Sequence, residues 1–282
     1  MTNKALIAMS GGVDSSVAAF LTKDMGYDAT GITLKLFDNE DIGEKREKTC
    51  CSLDDIDDAR RVCLKLGIPY YVYNFKDSFK ENVIDRFIRA YENGTTPNPC
   101  IDCNRFIKFE KLIRRAEELD FDCVVTGHYS TIEYDKGADR YLLKKSVDST
   151  KDQSYVLYCL TQRQLAKTLL PLGTYTKEKV REIANELGLI NARKHDSQDI
   201  CFVPDGDYAK FIEQYTGRTY PNGNFVDTKG HILGEHKGII RYKVLDLHSP
   251  TLCMLRKRIL TPTRLFSAIT TSFSQRSFMQ RT

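Results

Sequence analysis

Along the first half of the chain the hydrophobic positions switch between two periods. Four short apolar runs, "KALIAMS" (4–10), "DATGITLKLF" (28–37), "PYYVYNF" (69–75) and "DCVVTGHY" (122–129), read as strands, the last short and apolar as in a sheet covered on both faces. Between them the period is helical. "LDDIDDARRVCLKLG" sets Ile56, Ala59, Val62, Cys63 and Leu66 on one stripe and closes at Gly67. Residues 14–24, 78–91 and 105–119 read as helices as well, the last with Phe106, Phe109, Leu112, Ile113, Ala116 and Leu119 on one face. Strands separated by helices of this length predict an α/β fold built on a doubly wound parallel sheet. Ligands of such sheets bind beyond the carboxyl ends of the strands. "IEYDKGADRYLLKK" then predicts a hairpin around Asp135–Gly137. Residues 153–167 and 176–187 predict two further helices, the second capped by Thr176 and stopped by Gly188.

Composition narrows the class. The 282 residues, 41% hydrophobic and 28% charged, suit a globular protein of roughly two domains. No apolar run approaches the ~18 residues of a membrane helix, and "MTNKALIAMSGG" is too short in apolar residues for a signal peptide. No membrane partner and a cytoplasmic location are therefore expected. There, nine cysteines are more often buried, metal-bound or catalytic than bridged. Cys63, Cys123 and Cys159 sit in apolar patterns and read as core, while Cys50 and Cys51 lie in a charged loop and stay ambiguous. Cys100 and Cys103, in "TTPNPCIDCNRFIKF", admit four readings: half of a zinc site, a redox disulfide, a catalytic thiol with a neighbour, or cluster ligands. Charge is uneven: residues 243–282 hold seven Lys/Arg and one Asp, so any basic surface on the main body is local.

"AMSGGVDSS" follows the first strand and opens a helix. Gly11 and Gly12 let the backbone turn and present N–H groups. Ser10, Ser15 and Ser16 add hydroxyls, and the helix N-terminus adds partial positive charge. The combination suits a phosphate or pyrophosphate. Asp14 is out of place there unless Mg²⁺ bridges it to the phosphates. No Gly-Lys-Ser/Thr follows and a third glycine is missing, so this is neither a Walker loop nor a dinucleotide fingerprint.

Ser10-Gly11-Gly12-Val13-Asp14-Ser15 resembles the SGGxDS loop of the PP-loop ATPases. That superfamily splits ATP between the α and β phosphates and adenylates a carbonyl or carboxylate. "NGTTPNPCIDCNRFIKF", "VTGHY", "SVDSTKDQSYVLYCLTQRQL" and "HDSQDICFVPDGDYAKFI" are similar to stretches of the bacterial tRNA-specific 2-thiouridylases, and the resemblance runs over roughly residues 4–242. It implies an enzyme that replaces the C2 oxygen of the wobble uridine of the Lys, Glu and Gln tRNAs with sulfur. ATP and Mg²⁺ are then the cofactors, and tRNA and a persulfide donor protein the partners. Residue by residue, the resemblance implies that Ala8, Met9, Ser10, Gly11, Gly12, Val13, Asp14 and Ser15 form the ATP loop, with Leu34 and Gly127 as further ATP contacts. Cys103 matches the nucleophile and Cys201 the persulfide carrier; Asn98, Pro99 and Cys100 fall at the target base, and Lys151, Asp152 and Gln153 in a tRNA-contacting segment.

His128 is a candidate beside the RNA, or a hydrogen-bonded structural histidine. "DICFV" around Cys201 also reads as a core strand, and Asp152 and Gln153 also read as helix caps. Lys144, Lys145 and Lys151 read as a solvated face, or as phosphate contacts near an RNA channel. The target base must leave its stack to be reached. Many family members carry Asp where this chain has Cys100. Cys100, Cys103 and Cys201 therefore also stand as possible ligands of a [4Fe–4S] cluster, the alternative to the persulfide route. Rival readings are another adenylating ligase of the superfamily, or a truncated ATP- or RNA-binding remnant.

The resemblance stops near Lys243. The next forty residues have no glycine and eleven Ser/Thr, where the family continues into a C-terminal β-barrel. The expected organisation is a catalytic domain with a helical insertion over 1–200, a small, incomplete second domain over 201–242, and a basic tail over 243–282. The tail is read as a lost reading frame or as an RNA-binding extension.

Overall fold

The computed structural model describes residues 2–38, 53–194, 200–226, 230–242 and 264–266. Cys50, Cys51, residues 195–199 of the "HDSQDICF" stretch and nearly all of the tail lie outside them. The chain divides into two compact units, Met1–Arg86 with Asn98–Asp207, and Phe87–Pro97 with the chain from Tyr208 onward. The first unit includes Cys201.

The first unit holds a five-stranded sheet in the order β3-β2-β1-β4-β7. The strands are β1 (Lys4–Ala8), β2 (Asp28–Lys35), β3 (Tyr70–Asn74), β4 (Cys123–Val125) and β7 (Thr168–Leu169). Every pairing in it is parallel, as the alternation of periods predicts. Helix α1 (Val13–Asp24) buries Val17, Ala18 and Ala19 against Ile7 and Val125, and α2 (Leu53–Leu66) adds Ala59, Val62 and Cys63 to the same cluster. Contact is close: a Cβ built on Gly31 of β2 would lie 2.4 Å from Cys63 Sγ. β3 is an edge strand, and Tyr71 is 56% exposed. β4 is shorter than its apolar run, since Thr126–Tyr129 turn away as a loop.

Three predicted helices are broken. The 78–91 stretch is α3 (Lys76–Phe79), a π-helical segment (Lys80–Ile84) and α4 (Asp85–Glu92). The 105–119 stretch is α5 (Pro99–Asp102), a second π-helical segment (Cys103–Lys111) and α6 (Leu112–Glu118). Its Leu112 N–H donates to Ile107 O, five residues back. The wider turn moves side chains off a 3.6-residue stripe. Phe109, Leu112, Ile113 and Ala116 are buried, but Phe106 is half-buried and Leu119 exposed. The 153–167 stretch is a 3-10 turn (Ser154–Val156) and then α7 (Gln162–Ala166). Thr161 and Gln164 form a capping box that starts α7 afresh, a signal legible in "TQRQ". Cys63 is core as predicted, whereas Cys123 and Cys159 are only half-buried.

The hairpin is β5 (Ser130–Asp135) with β6 (Arg140–Lys145), and Asp135 Oδ1 accepts the Gly137 N–H at 2.8 Å to hold the turn. Thr176 caps α8 (Lys177–Glu186) and Gly188 ends it at φ +59°.

In the second unit α9 (Tyr208–Thr216) places Tyr208 and Phe211 against Phe87, with ring centroids 5.9 and 6.3 Å away. Arg241 pairs with Glu213 at 2.9 Å. β8 (Gly223–Val226) pairs antiparallel with β9 (Ile232–His236) and parallel with β10 (Arg264–Phe266), a strand inside the expected aberrant tail. Among the described residues no helix is long and apolar enough to cross a membrane.

Candidate functional site

Strand order reverses between β1 and β4, and such a switch point opens a crevice at the strand ends. Two loops meet there. The first runs from Ala8 through Met9, Ser10, Gly11 and Gly12 into Val13, Asp14 and Ser15 of α1. Gly11 sits at φ +74°, and a Cβ there would meet Asp55 O at 2.4 Å. Gly12 is the N-cap of α1 and supplies no side-chain cap. The first-turn N–H groups, which a helix cannot satisfy internally, are therefore presented at the crevice. Ser15 Oγ donates to Gly12 O at 3.0 Å and accepts the Ser10 N–H at 3.2 Å, shaping the turn. These residues fit a phosphate group.

The second loop is Thr126–Tyr129. A Cβ on Gly127 would lie 2.8 Å from Asp14 C and 2.8 Å from Ser15 N, so the two loops touch backbone to backbone. The structure thus brings Gly127 to the glycine loop. Leu34 is buried on β2, in register with Tyr73 of β3. Gly127→Ala is expected to push the loops apart, costing about 1–3 kcal/mol and weakening nucleotide binding. Denaturant midpoints and ATP titration check this; an unchanged variant would contradict the packing.

Asp14 corrects an expectation. Its carboxylate accepts from Lys177 Nζ at 2.7 and 2.8 Å and from the Tyr129 hydroxyl at 2.7 Å. It is committed to an ammonium from α8, not offered to a bridging cation, so the Mg²⁺ role drawn for Asp14 does not fit. Two more residues unmarked in the sequence brace the loop. Asn191 Nδ2 donates to Gly11 O at 3.0 Å and to Ser16 Oγ at 2.8 Å, and Lys194 Nζ joins Asp55 at 2.6 Å and Asp58 at 2.7 Å.

The thiols lie along the next helix. Asn98 is the N-cap of α5, its Oδ1 accepting the Cys100 N–H at 3.1 Å, and Pro99 follows at the first helical position. Cys100 is exposed and Cys103 buried. Burial pushes the Cys103 thiol up from its ordinary 9.0; the Lys108 ammonium opposes this, and Cys100 and Asp102 reinforce it. Lys108 stands five residues on in the same π-helical segment. His128 is buried, shares a 2.7 Å hydrogen bond between Nδ1 and Thr126 Oγ1, and packs on Phe109 with centroids 5.9 Å apart. The hydrogen-bonded structural reading of His128 describes this geometry. Burial, aided by Lys108, holds it well below 6.5 and neutral. The unfolded chain therefore takes up a proton below pH 6.5 that the fold does not. Stability present above that pH is lost as pH falls through it. Melting temperature is expected to drop from pH 7.5 to 5, and His128→Gln to flatten the slope; equal slopes would refute the assignment.

Cys201 is half-buried in a turn, not in a core strand, where the Val203 N–H donates to Ile200 O at 2.9 Å. Its neighbour Phe202 packs edge-on against Phe79 of α3 at 5.8 Å. The helix carrying Phe79 also packs on the Cys103 helix, where Lys111 Nζ donates to Ser78 Oγ at 2.5 Å. Both cysteines thus border the same helical segment. Among the described residues no group of three or more His, Cys, Asp or Glu is close enough to hold a metal ion. Cys100, Cys103 and Cys201 are therefore not gathered into a [4Fe–4S] ligand set.

The Lys151–Gln153 segment is fixed from below. Asp152 accepts from the Ser146 N–H at 2.9 Å and the Ser154 hydroxyl at 2.7 Å, and Gln153 Oε1 accepts the Tyr129 N–H at 3.0 Å. Burial alone would raise the Asp152 carboxyl, but these bonds, with Lys145 nearby, hold it below 3.8.

A family model described as the tRNA methyl transferase HUP domain matches residues 3–205. The "tRNA-specific 2-thiouridylase MnmA" of Clostridioides difficile is 55% identical over 244 residues, covering 86% of this chain and 67% of that protein. Its counterpart from Lachnoclostridium phytofermentans is 56% identical over 242 residues, with 86% and 68% covered. Among solved structures, a 4-thiouridine synthetase–RNA complex with bound ATP aligns over 76% of this chain and 50% of its own at 16% identity, with a TM-score of 0.48, which decides nothing about this chain. At more than half identity across most of its length, the chain belongs to the tRNA-specific 2-thiouridylase family.

Proposed function

We propose that this chain uses ATP to place sulfur at C2 of the wobble uridine of tRNA, those for Lys, Glu and Gln, in the cytoplasm. Family membership supports the reaction class. The observation that carries the site is the meeting of an uncapped glycine turn with the Gly127 loop at the switch point, beside the helix that bears Cys103.

A urea-like C2 carbonyl is a poor electrophile. In this reading its oxygen attacks the α-phosphorus of ATP, the bond to the β-phosphate breaks, and pyrophosphate leaves into the loop formed by Ser10–Ser15. Oxygen at C2 is now part of AMP, a good leaving group. Cys201 carries the incoming sulfur as a persulfide, loaded by a donor protein. Cys103 attacks Cys201 Sγ, releasing the outer sulfur as hydrosulfide and leaving a Cys103–Cys201 disulfide. Hydrosulfide adds to C2 and AMP departs. An external thiol reductant returns two electrons to the disulfide. Because burial raises the Cys103 thiol, the attacking thiolate forms when substrate binding rearranges its surroundings, with Lys108 the nearby cation that favours it.

The test is the purified chain with tRNA transcript, ATP and a persulfide donor, followed by mass spectrometry of the nucleosides. The proposal expects 2-thiouridine at the wobble position. Pyrophosphate release without 2-thiouridine would favour a different adenylating ligase, and neither product would leave a binding remnant.

A further inference from the structure

We propose that Tyr155 and Tyr158 form a stacking platform for unpaired RNA bases at the rim of the thiol site. The inference rests on the reading that the chain acts on tRNA, and identifies a surface that recognises its single-stranded part. Both rings are unusual in their setting: Tyr155 is 59% and Tyr158 70% exposed, while the two residues between them, Val156 and Leu157, are 4% and 0% exposed. The backbone turns with a 3-10 hydrogen-bond pattern, in which side chains three apart eclipse. The Leu157 N–H donates to Ser154 O at 3.1 Å and the Leu160 N–H to Leu157 O at 3.0 Å. The two tyrosines stand three residues apart, both exposed, with the buried pair between them as an anchor.

The platform is held firmly. Asp152 grips Ser146 and Ser154, and Gln153 exchanges hydrogen bonds with the Tyr129 backbone, its own N–H donating to Tyr129 O at 2.8 Å. An aromatic surface fixed in advance loses little entropy on binding. It also stands beside the candidate base site. Cys159, the next residue, lies within electrostatic reach of Arg105 and Asp102, which flank Cys103. Two cations stand near this segment, Arg105, which is exposed, and Lys145, alongside the carboxylates of Asp102 and Asp152. Exposed rings with cations nearby match an anionic strand with bases turned outward, because every base offers a π face and stacking tolerates any sequence.

The experiment is fluorescence anisotropy of the full chain with a labelled anticodon stem-loop RNA and, separately, with a blunt RNA duplex of equal length. Tyr155→Ala and Tyr158→Ala are each expected to weaken stem-loop binding about tenfold. Duplex and ATP binding should be unchanged, and Tyr155→Phe and Tyr158→Phe should bind the stem-loop as wild type does. Ala variants that bind the stem-loop as wild type does would overturn the platform, as would equal losses on both RNAs. A wild-type chain that binds neither RNA would overturn the tRNA reading and this inference with it. Melting curves that match wild type keep a folding defect from mimicking the effect.

Discussion

Cys201→Ala is expected to abolish 2-thiouridine formation, to below about a thousandth of the wild-type rate, while ATP-dependent release of pyrophosphate continues. In the proposed mechanism the two halves of the chemistry use different parts of the first unit. Adenylation needs the glycine turn, its contact with Gly127 and a bound base; none of these involves the turn that holds Cys201. Sulfur delivery needs a thiol to carry the atom, and alanine cannot. Cys103→Ala should give the same split, with one difference: Cys201 stays able to accept sulfur, so the persulfide accumulates and is visible as a mass increment on the Cys201 peptide. Cys100→Ala is the internal comparison. Cys100 is exposed and the described residues assemble no three-thiolate site around it, so that variant should retain most activity. Loss of thiolation in Cys100→Ala as complete as in Cys103→Ala would break this assignment.

Lys177→Met carries the second large effect. Lys177 is buried and its ammonium contacts both oxygens of Asp14. Removing it strands a carboxylate beside a helix and a phenol. Breaking a buried pair costs about 3–5 kcal/mol, and the partial exposure of Asp14 brings the expectation to about 2–3 kcal/mol. The loss is also functional, because Asp14 lies in the first turn of α1 against Gly127. ATP binding should weaken with stability. Adding Asp14→Asn removes the stranded charge, so the double variant should regain part of the stability. If it is instead as unstable as the sum of the two single changes, the pair is not the coupling unit.

The sequence and structure agree where a signal is local. A glycine turn after a strand names the first motif, and the strand–helix alternation predicts the parallel sheet. Thr176 and Gly188 bound α8 as their chemistry dictates. What escaped is either a change of register or a distant partner. Phe106 and Leu119 fit a helical stripe on paper; a π turn between them spoils it, and no residue type announces a π turn. "YVLYCL" reads as one buried helix, whereas Asp152 and Gln153 spend their side chains on neighbouring backbone and leave the tyrosines outside. Asp14 looked like a metal ligand because its partner Lys177 is 163 positions away in an unremarkable helix start. Asn191 and Lys194 had no signal at all.

That distance has a consequence for how the protein is made. Asn191 reaches back 180 positions to hold Gly11. On a ribosome adding 5–20 residues per second, the glycine turn emerges roughly 10–40 s before the asparagine that locks it. During that interval the nascent chain carries its nucleotide motif without the brace. Early chain termination anywhere before residue 191 would therefore yield fragments that contain the recognisable motif yet lack its finished shape. The glycine turn is thus made well before the residue that completes its shape.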